Sequence, residues 1–182
     1  ARNRSFLFKG EIGDFSHSYD HALFSIGSSK KKYNVFEGRK DSYNFVFMDY
    51  KYTVGGGKHS NIYNQSVLIV NLADIGINLP NFILGPEGFL YKIGNLFGFN
   101  DIDFKLNKVF SDKFLLKGED EARIRSIFDM DILKFFENKS NDFNLEVNDN
   151  ILIYYKLSKR IDVDEEFESF YSEFNDIVEI FK

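Results

Sequence analysis

The chain has 182 residues, of which 43% are hydrophobic and 28% charged, a composition typical of one folded domain or of two small halves on a shared core. It contains no cysteine, which excludes disulfide-linked partners, zinc–thiolate sites and cysteine nucleophiles. The net charge of −5 is unevenly spread, because residues 1–60 hold ten Lys/Arg against six Asp/Glu and residues 101–182 hold twelve against twenty. A basic front and an acidic back of this kind could orient the molecule at an anionic surface, and the alternative is a solvated surface with a modest charge asymmetry.

Residues 1–32 are predicted to form an N-terminal segment ahead of the main domain. Asp14 is a suitable N-cap for a short helix, and Gly27 is a suitable residue to end it. Apolar residues recur at helical spacing between these two positions. Residues 28–32 contain three consecutive lysines and are predicted as a basic loop.

A long antiparallel hairpin is predicted in the first half of the chain. Residues 43–54 form its first strand, and the apolar run 66–70 belongs to its second, with the flexible loop Gly55–Gly57 between them. The first strand alternates, which indicates a sheet covered on one side and partly on the other. One face carries Val46, Met48, Tyr50 and Tyr52, and the other begins with Phe45 and Phe47.

Short strands and helices are predicted around and after this hairpin. Their apolar spacing changes between period two and helical period, and Gly, Pro, Asn and Asp mark the boundaries. The predicted elements are strands at 33–37 and 81–84, a helix from Pro86 to Gly98, strands at 102–106 and 113–117, a helix from Glu119 to Phe136, a hairpin at 143–157 with its turn at 148–150, and a helix from Val163 to Phe181.

This order of elements predicts an α+β fold over residues 33–182. We expect a mainly antiparallel sheet with a long glycine-tipped hairpin, packed by three or four helices. Residues 33–100 and 101–182 each run from strands to helix. The two halves are therefore candidates for a degenerate structural repeat, although they share no convincing residue identity.

The glycine-tipped hairpin carries the candidate binding residues. A nucleotide-binding P-loop needs a glycine where Tyr52 stands and a serine or threonine where His59 stands, so the sequence does not fit that motif. A glycine-rich turn with a lysine can still bind an anion through its free N–H groups. The candidate binding residues are therefore Tyr50, Tyr52, Lys58 and His59.

Metal and catalytic chemistry have little support in the sequence. His17 and His21 lie four residues apart and would share one face of a helix, as a metal-binding pair does, but no third strong ligand is near in sequence. Two exposed helix histidines explain the spacing without a metal. A serine nucleophile also lacks support, because the chain has no Gly-x-Ser-x-Gly motif. We therefore assign no catalytic residue, no metal ligand and no cofactor.

The aromatic strand at residues 41–48 partly resembles the strand pattern of RNA-binding domains. Laid on the RNA-recognition strand pattern, this segment matches at Tyr43, Phe45 and Val46 but lacks the leading basic residue, the glycine and the closing aromatic. The sequence pI of about 5.3 also opposes binding to phosphates. A nucleic-acid partner is not expected, and weak nucleic-acid binding is kept as the last alternative.

Three motifs together resemble an uncharacterised bacterial family of unknown function. They are Asn34-Val-x-x-Gly38, Asp49-Tyr50-x-Tyr52-Thr53-x-Gly55-x-Gly57-Lys58 and Phe110-Ser111-x-x-Phe114. The similarity runs from about Asn34 to the C-terminal helix. Members of that family are commonly membrane-anchored, with transmembrane helices ahead of a soluble domain, and bring no established activity, cofactor or catalytic residue.

The resemblance implies that a membrane segment precedes Ala1 in the full protein, which would suit Arg2, Arg4 and the lysines at 30–32 near a cytoplasmic surface. The Asp-Tyr-x-Tyr element itself needs no catalytic explanation. Tyr50 and Tyr52 are expected to bury their rings while their hydroxyls find polar partners.

The function expected from these features is a non-enzymatic binding or scaffold domain. It would sit at the cytoplasmic face of a bacterial membrane if an anchor precedes it, and in the cytoplasm otherwise. The expected partner is an unknown protein or an anionic membrane surface. The alternative is a small-ligand or anion-binding domain, or an enzyme, with its site beside the loop at 55–60.

Overall fold

The computed structural model describes residues 6–10, 19–40, 43–86, 101–162 and 166–182. Eight strands of these residues form one sheet, and five helices accompany it. The strands are β1 (Phe6–Gly10), β2 (Ser28–Lys40), β3 (Tyr43–Val54), β4 (Asn61–Asn71), β5 (Phe82–Pro86), β6 (Phe114–Gly118), β7 (Asn144–Asn148) and β8 (Ile151–Tyr155). The helices are α1 (Ala22–Ser25), α2 (Lys108–Lys113), α3 (Glu121–Ile127), α4 (Met130–Glu137) and α5 (Phe167–Ile180), with 3₁₀ turns at Gly57–His59 and Leu72–Ile75.

Every pairing within the described sheet is antiparallel, which confirms the predicted α+β class. The strand order is β1-β2-β3-β4-β8-β7-β5-β6. β5, from the first half of the chain, lies between β7 and β6 from the second half. The two halves therefore share one continuous sheet, and whether they also represent a repeat stays a prediction.

The first hydrophobic core lies between one face of the sheet and helices α2 to α5. Phe47, predicted on the face of β3 opposite Tyr50, contacts Phe167 of α5, with ring centroids 5.3 Å apart. Tyr154 of β8 lies 5.0 Å from Phe170 of the same helix. The helix predicted from Val163 to Phe181 is thus confirmed over Phe167–Ile180, and its buried residues pack across the centre of the sheet, while residues 163–165 lie outside the described residues.

A second core covers the opposite face of the sheet. It contains Met48, Tyr50 and Tyr52, so the predicted division of β3 into two faces is confirmed. Helix α1 packs there, and the ring of Phe24 meets Tyr50 edge-on at 5.0 Å. The sheet is therefore buried on both faces at its centre, which leaves little room for polar side chains on either side.

The tight β7–β8 turn has the geometry that its Asn/Asp composition predicts. Asp149 and Asn150 both have positive φ, at 49° and 61°. Positive φ at both central residues defines the type I′ turn, whose twist matches the flanking strands. Asp149 is also held from outside the hairpin, since its backbone N–H donates to the side-chain oxygen of Asn81 at 3.0 Å.

Two predicted N-terminal elements differ in the structure. The lysine-rich residues 28–32 belong to strand β2 rather than to a loop, because they pair with β3 beyond the apolar part of that strand. Of the helix expected between Asp14 and Gly27, the structure has the single turn of α1, whereas residues 19–21 are not helical and residues 11–18 lie outside the described residues.

Two further predictions in the second half are corrected. The segment 102–106 is not a strand and is attached to β6 through one isolated bridge at Asp101. The helix expected from Glu119 to Phe136 is two helices, because Asp129 caps a new one by accepting hydrogen bonds from two backbone N–H groups. The predicted helix after Pro86 falls on 87–100, outside the described residues, and Pro86 itself ends β5.

No helix in the described part of the chain is both long enough and apolar enough to cross a bilayer. This finding concerns the described helices alone.

The centre of the first core gives a stability prediction. Phe174 of α5 is fully buried and contacts the rings of Tyr43 and Tyr154. Phe174→Ala should lower the free energy of unfolding by about 3 to 5 kcal/mol, measured by urea denaturation, because it removes a buried ring and leaves a cavity. Phe135→Ala, at a half-buried ring of α4, is the matched control and should cost clearly less. Equal losses would contradict the assignment of Phe174 to the core centre.

Candidate functional site

Strands β2, β3 and β4 extend beyond the rest of the sheet as a three-stranded arm, which we define as residues 28–33 and 50–65. β8 pairs with β4 from Val67 to Asn71, whereas β3 pairs with β4 from Asn61 to Val70. The arm carries five lysines and no aspartate or glutamate. It is therefore a concentrated positive region in a chain whose net charge is negative.

Two of these lysines face each other directly across β2 and β3. Lys31 pairs with Lys51, and Lys51 pairs in turn with Asn64 of β4. Directly opposed residues have Cβ atoms about 5 Å apart, and like charges in that position are destabilising. An anion placed between the two ammonium groups would relieve this repulsion, so the pair is a candidate anion-contacting site.

The tip of the arm is a 3₁₀ turn that exposes Lys58 and His59. Gly55 has a φ of 91°, and a Cβ added there would lie 2.5 Å from the carbonyl oxygen of His59. Gly56 is extended, and a Cβ added there would meet nothing within 4 Å. The first glycine therefore shapes the turn, whereas the second is not needed for its packing.

The structure separates the predicted binding residues into two places. Lys58 and His59 are exposed at the tip, but Tyr50 and Tyr52 are buried in the second core. Their rings stack 5.5 Å apart, and Tyr52 also stacks on Tyr63 at 5.2 Å. Burial raises the pKa of Tyr50 to about 12 and that of Tyr52 further, so both stay protonated at neutral pH.

The hydroxyl of Tyr50 was expected to find a polar partner, and the structure differs. Within the described part of the chain the hydroxyl of Tyr50 has no hydrogen-bond partner. The same is true of both amide atoms of Gln65, which lies directly opposite on β4 and is 0% exposed. The inner face of the arm therefore contains polar groups whose hydrogen-bonding capacity is unused.

Asp49 links several elements at the base of the arm through hydrogen bonds and an ion pair. Its carboxylate accepts hydrogen bonds from Ser66 Oγ at 2.6 Å and from Asn34 Nδ2 at 2.8 Å, and it forms an ion pair with Arg160 at 3.1 Å. Ser66 Oγ also accepts from the backbone N–H of Ile161 at 2.9 Å. One buried carboxylate thus joins β2, β3, β4 and the segment after β8.

A second cluster, not identified from the sequence, surrounds Glu146 of β7. Glu146 is 1% exposed, and its Oε1 accepts a hydrogen bond from the hydroxyl of Tyr155 at 2.8 Å. The backbone N–H of Leu23, at the start of α1, donates to both carboxylate oxygens at 3.2 and 3.3 Å. Burial raises the pKa of Glu146 to about 7, although these hydrogen bonds act to lower it.

His21, expected to be exposed on a helix, is instead 2% exposed immediately before α1. Its Nε2 lies 2.9 Å from the carbonyl oxygen of Ile151, and because a carbonyl only accepts, Nε2 carries the proton. Burial lowers the pKa of His21, which keeps the ring neutral. Nδ1 is therefore an acceptor, and it has no partner among the described residues. His17 lies outside the described residues.

No group of three or more His, Asp or Glu side chains in the described ranges is arranged to hold a metal ion. No family model matches the sequence, and neither curated proteins nor solved structures give a match. The resemblance to a bacterial family therefore stays a prediction, and function has to be argued from the geometry.

The glycine turn gives a prediction with an internal control. Gly55→Ala should lower the free energy of unfolding by more than about 1 kcal/mol, because a side chain is strained at that φ and its Cβ meets a backbone carbonyl. Gly56→Ala should be neutral or stabilise by about 0.4 to 1 kcal/mol through the unfolded chain. Thermal unfolding of both variants tests this, and the reverse order of stabilities would rule out the turn geometry.

Glu146 gives a prediction on pH. Its folded-state pKa of about 7 lies above the ordinary 4.5, so the folded state binds this proton more tightly than the unfolded state. The protein should therefore lose about 3 kcal/mol of stability from this group as the pH rises from 4.5 to 7, with little change above 7.

The test compares wild type with Glu146→Gln by urea denaturation across this pH range. The glutamine has no proton to lose, so the stability of wild type relative to the variant should fall as the pH rises. Parallel pH profiles for the two proteins would show that Glu146 titrates normally.

Proposed function

We propose that this protein is a non-enzymatic binding domain that acts at the cytoplasmic face of a bacterial membrane, with the arm as the surface that contacts anionic lipid headgroups. The observation that carries the proposal is the charge of the arm, where five lysines occur without a carboxylate. Each lysine close to an anionic membrane contributes about 1 kcal/mol of attraction. The opposed pair Lys31 and Lys51 gains most, because a headgroup phosphate relieves their mutual repulsion.

The distribution of charge along the sheet supports this orientation. β4 begins at the tip of the arm and ends at Asn71, which pairs with Ile151 beside the β7–β8 turn. Asp74 and Asp149 lie at that far end, about 35 Å from the tip of the arm along an eleven-residue strand. A domain with this polarity would turn its basic arm to a negatively charged surface and its acidic end away from it.

An apolar side chain on the arm also suits a lipid surface. Ile62 is 62% exposed and pairs with Thr53 on the same face as Lys51. An exposed aliphatic residue beside lysines can enter the headgroup region while the ammonium groups contact phosphate. This contact would add an apolar contribution that is insensitive to salt.

A small soluble anion is the second candidate ligand, because the Lys31–Lys51 pair would also favour free phosphate. Lys58 and His59 at the tip are available to it, as the sequence predicted, whereas Tyr50 and Tyr52 are buried elsewhere. Inorganic phosphate and a single-stranded oligonucleotide serve as competitors that separate these alternatives from a lipid surface.

The experiment is co-sedimentation with vesicles that contain phosphatidylserine, compared with vesicles of phosphatidylcholine alone. Wild type should bind the anionic vesicles in a salt-dependent way, and Lys31→Glu/Lys51→Glu should weaken binding by at least about tenfold. The control is Lys108→Glu/Lys134→Glu, which makes the same charge change at exposed residues of α2 and α4 and should retain binding.

Equal binding to both kinds of vesicle, or equal loss in both double variants, would contradict a role for the arm. Displacement from vesicles by millimolar inorganic phosphate would favour the soluble-anion candidate. Retention on the oligonucleotide with no vesicle binding would favour a nucleic acid.

A further inference from the structure

A cavity of about 170 Å³ lies between the segment that enters α1 and the edges of β5, β6 and β7. It is distant from the arm, because Asn148 in its wall precedes the β7–β8 turn at the opposite end of the sheet. Its walls include the apolar side chains Phe82, Ile83 and Val147. The exposed residues Asp20 and Glu119 lie at its mouth.

His21 lines this cavity with an acceptor that nothing in the described structure satisfies. Its Nε2–H is used by the carbonyl of Ile151, which leaves the lone pair of Nδ1 without a donor. The residue is 2% exposed, so very little of its ring is open to bulk solvent. An unsatisfied buried acceptor is destabilising, and a ligand with an N–H or O–H group would supply the missing hydrogen bond.

Glu146 supplies a second acceptor to the same cavity. Its carboxylate receives the hydroxyl of Tyr155 and backbone N–H groups of Ala22 and Leu23. A carboxylate offers about four acceptor positions, and the N–H of Leu23 is shared between both oxygens at 3.2 and 3.3 Å, so a further donor can share an oxygen with this long contact. The cavity therefore has two hydrogen-bond acceptors, Nδ1 of His21 and the carboxylate of Glu146, and favours a ligand with several hydrogen-bond donors.

The charges around the cavity indicate a cation. Asp20 and Glu119 line it together with one lysine, Lys117, and the carboxylate of Asp149 also acts on His21. Glu146 holds its proton near neutral pH and becomes a further negative charge when a cation binds beside it. The local potential is therefore negative, in contrast to the arm. An anionic ligand would be repelled here, and a neutral donor would gain less than a cationic one.

The size of the cavity limits the apolar part of the ligand. Cavities of about 150 Å³ lined by aliphatic and aromatic side chains hold a benzene molecule. A volume of about 170 Å³ therefore accommodates one ring, or an aliphatic chain of similar size, together with one or two further atoms.

We propose that this cavity binds a small primary amine with an apolar body, whose ammonium group donates hydrogen bonds to Nδ1 of His21 and to the carboxylate of Glu146. An ammonium group has three donors and no acceptor, which matches the two acceptors of the cavity. The apolar body then lies against Phe82, Ile83 and Val147. The site is independent of the membrane-binding function proposed for the arm.

Benzylamine is the probe, and the three histidines of the chain make its binding visible. In protein labelled with ¹⁵N-histidine, the ring nitrogens of His21 are identified by assigning the other two signals with His17→Gln and His59→Gln. Benzylamine should shift the Nδ1 signal of His21 in a saturable way. Benzyl alcohol should bind at least about tenfold more weakly, and benzoate should not bind, because neither carries a positive charge.

Two variants test the roles of the cavity walls. Glu146→Gln removes the charge at constant shape and should weaken benzylamine at least about tenfold while leaving the affinity for benzyl alcohol within about twofold. Ile83→Phe, at a half-buried position, fills the cavity and should abolish the shift at His21. The Ile83→Phe variant tests the site independently if Glu146→Gln does not fold.

Three results would overturn the proposal. The first is the absence of a saturable shift at His21 with millimolar benzylamine. The second is benzyl alcohol binding as tightly as benzylamine, which would make the cavity a general apolar void. The third is unchanged benzylamine binding in Ile83→Phe, which would place the amine elsewhere.

Discussion

The unbroken register between β3 and β4 determines how the rest of the molecule is arranged. Ten consecutive residue pairs, from Phe45–Val70 to Val54–Asn61, join the two strands without a bulge. Because side chains alternate, this register sends Phe47 to the helices and Tyr50 to the opposite face. A slip of one residue would exchange the two sets and destroy both cores at once. The other strands and helices can pack only once this pairing is fixed.

Covering both faces of an antiparallel sheet has a chemical consequence. Such sheets commonly leave one face to solvent, where alternate residues are polar. Here Glu146 stands at one of these alternate positions, yet α1 covers it with backbone N–H groups while Tyr155 donates from the neighbouring strand. A buried negative charge at this position would be destabilising, so the pKa of Glu146 is raised to about 7. The second core thus gains a titratable group that a solvated face would not have.

Local chemistry made much of the fold predictable, and long-range packing made the site hard to predict. The alternation of residues 43–54 and the turn at 148–150 depend on neighbours in sequence, and both predictions were confirmed. The helix break at Asp129 was missed because its apolar spacing continues through the cap. Glu146 and His21 were missed for another reason. Glu146 lies 123 residues from its donor Leu23, and nothing in the sequence of β7 predicts that the N-terminal helix α1 covers Glu146.

The arm is rich in lysine and the cavity is lined by several acidic residues, and the two lie at opposite ends of one sheet. The arm is long because β8 stops at Tyr155 while β3 and β4 continue, and its own residues include five lysines and no aspartate or glutamate. The cavity lies beside the β7–β8 turn, where the acidic residues collect. If the arm rests on an anionic surface, the cavity mouth at Glu119 faces the solution and remains open to a cationic ligand. Binding at the two proposed sites would therefore not compete, because the shared sheet separates them.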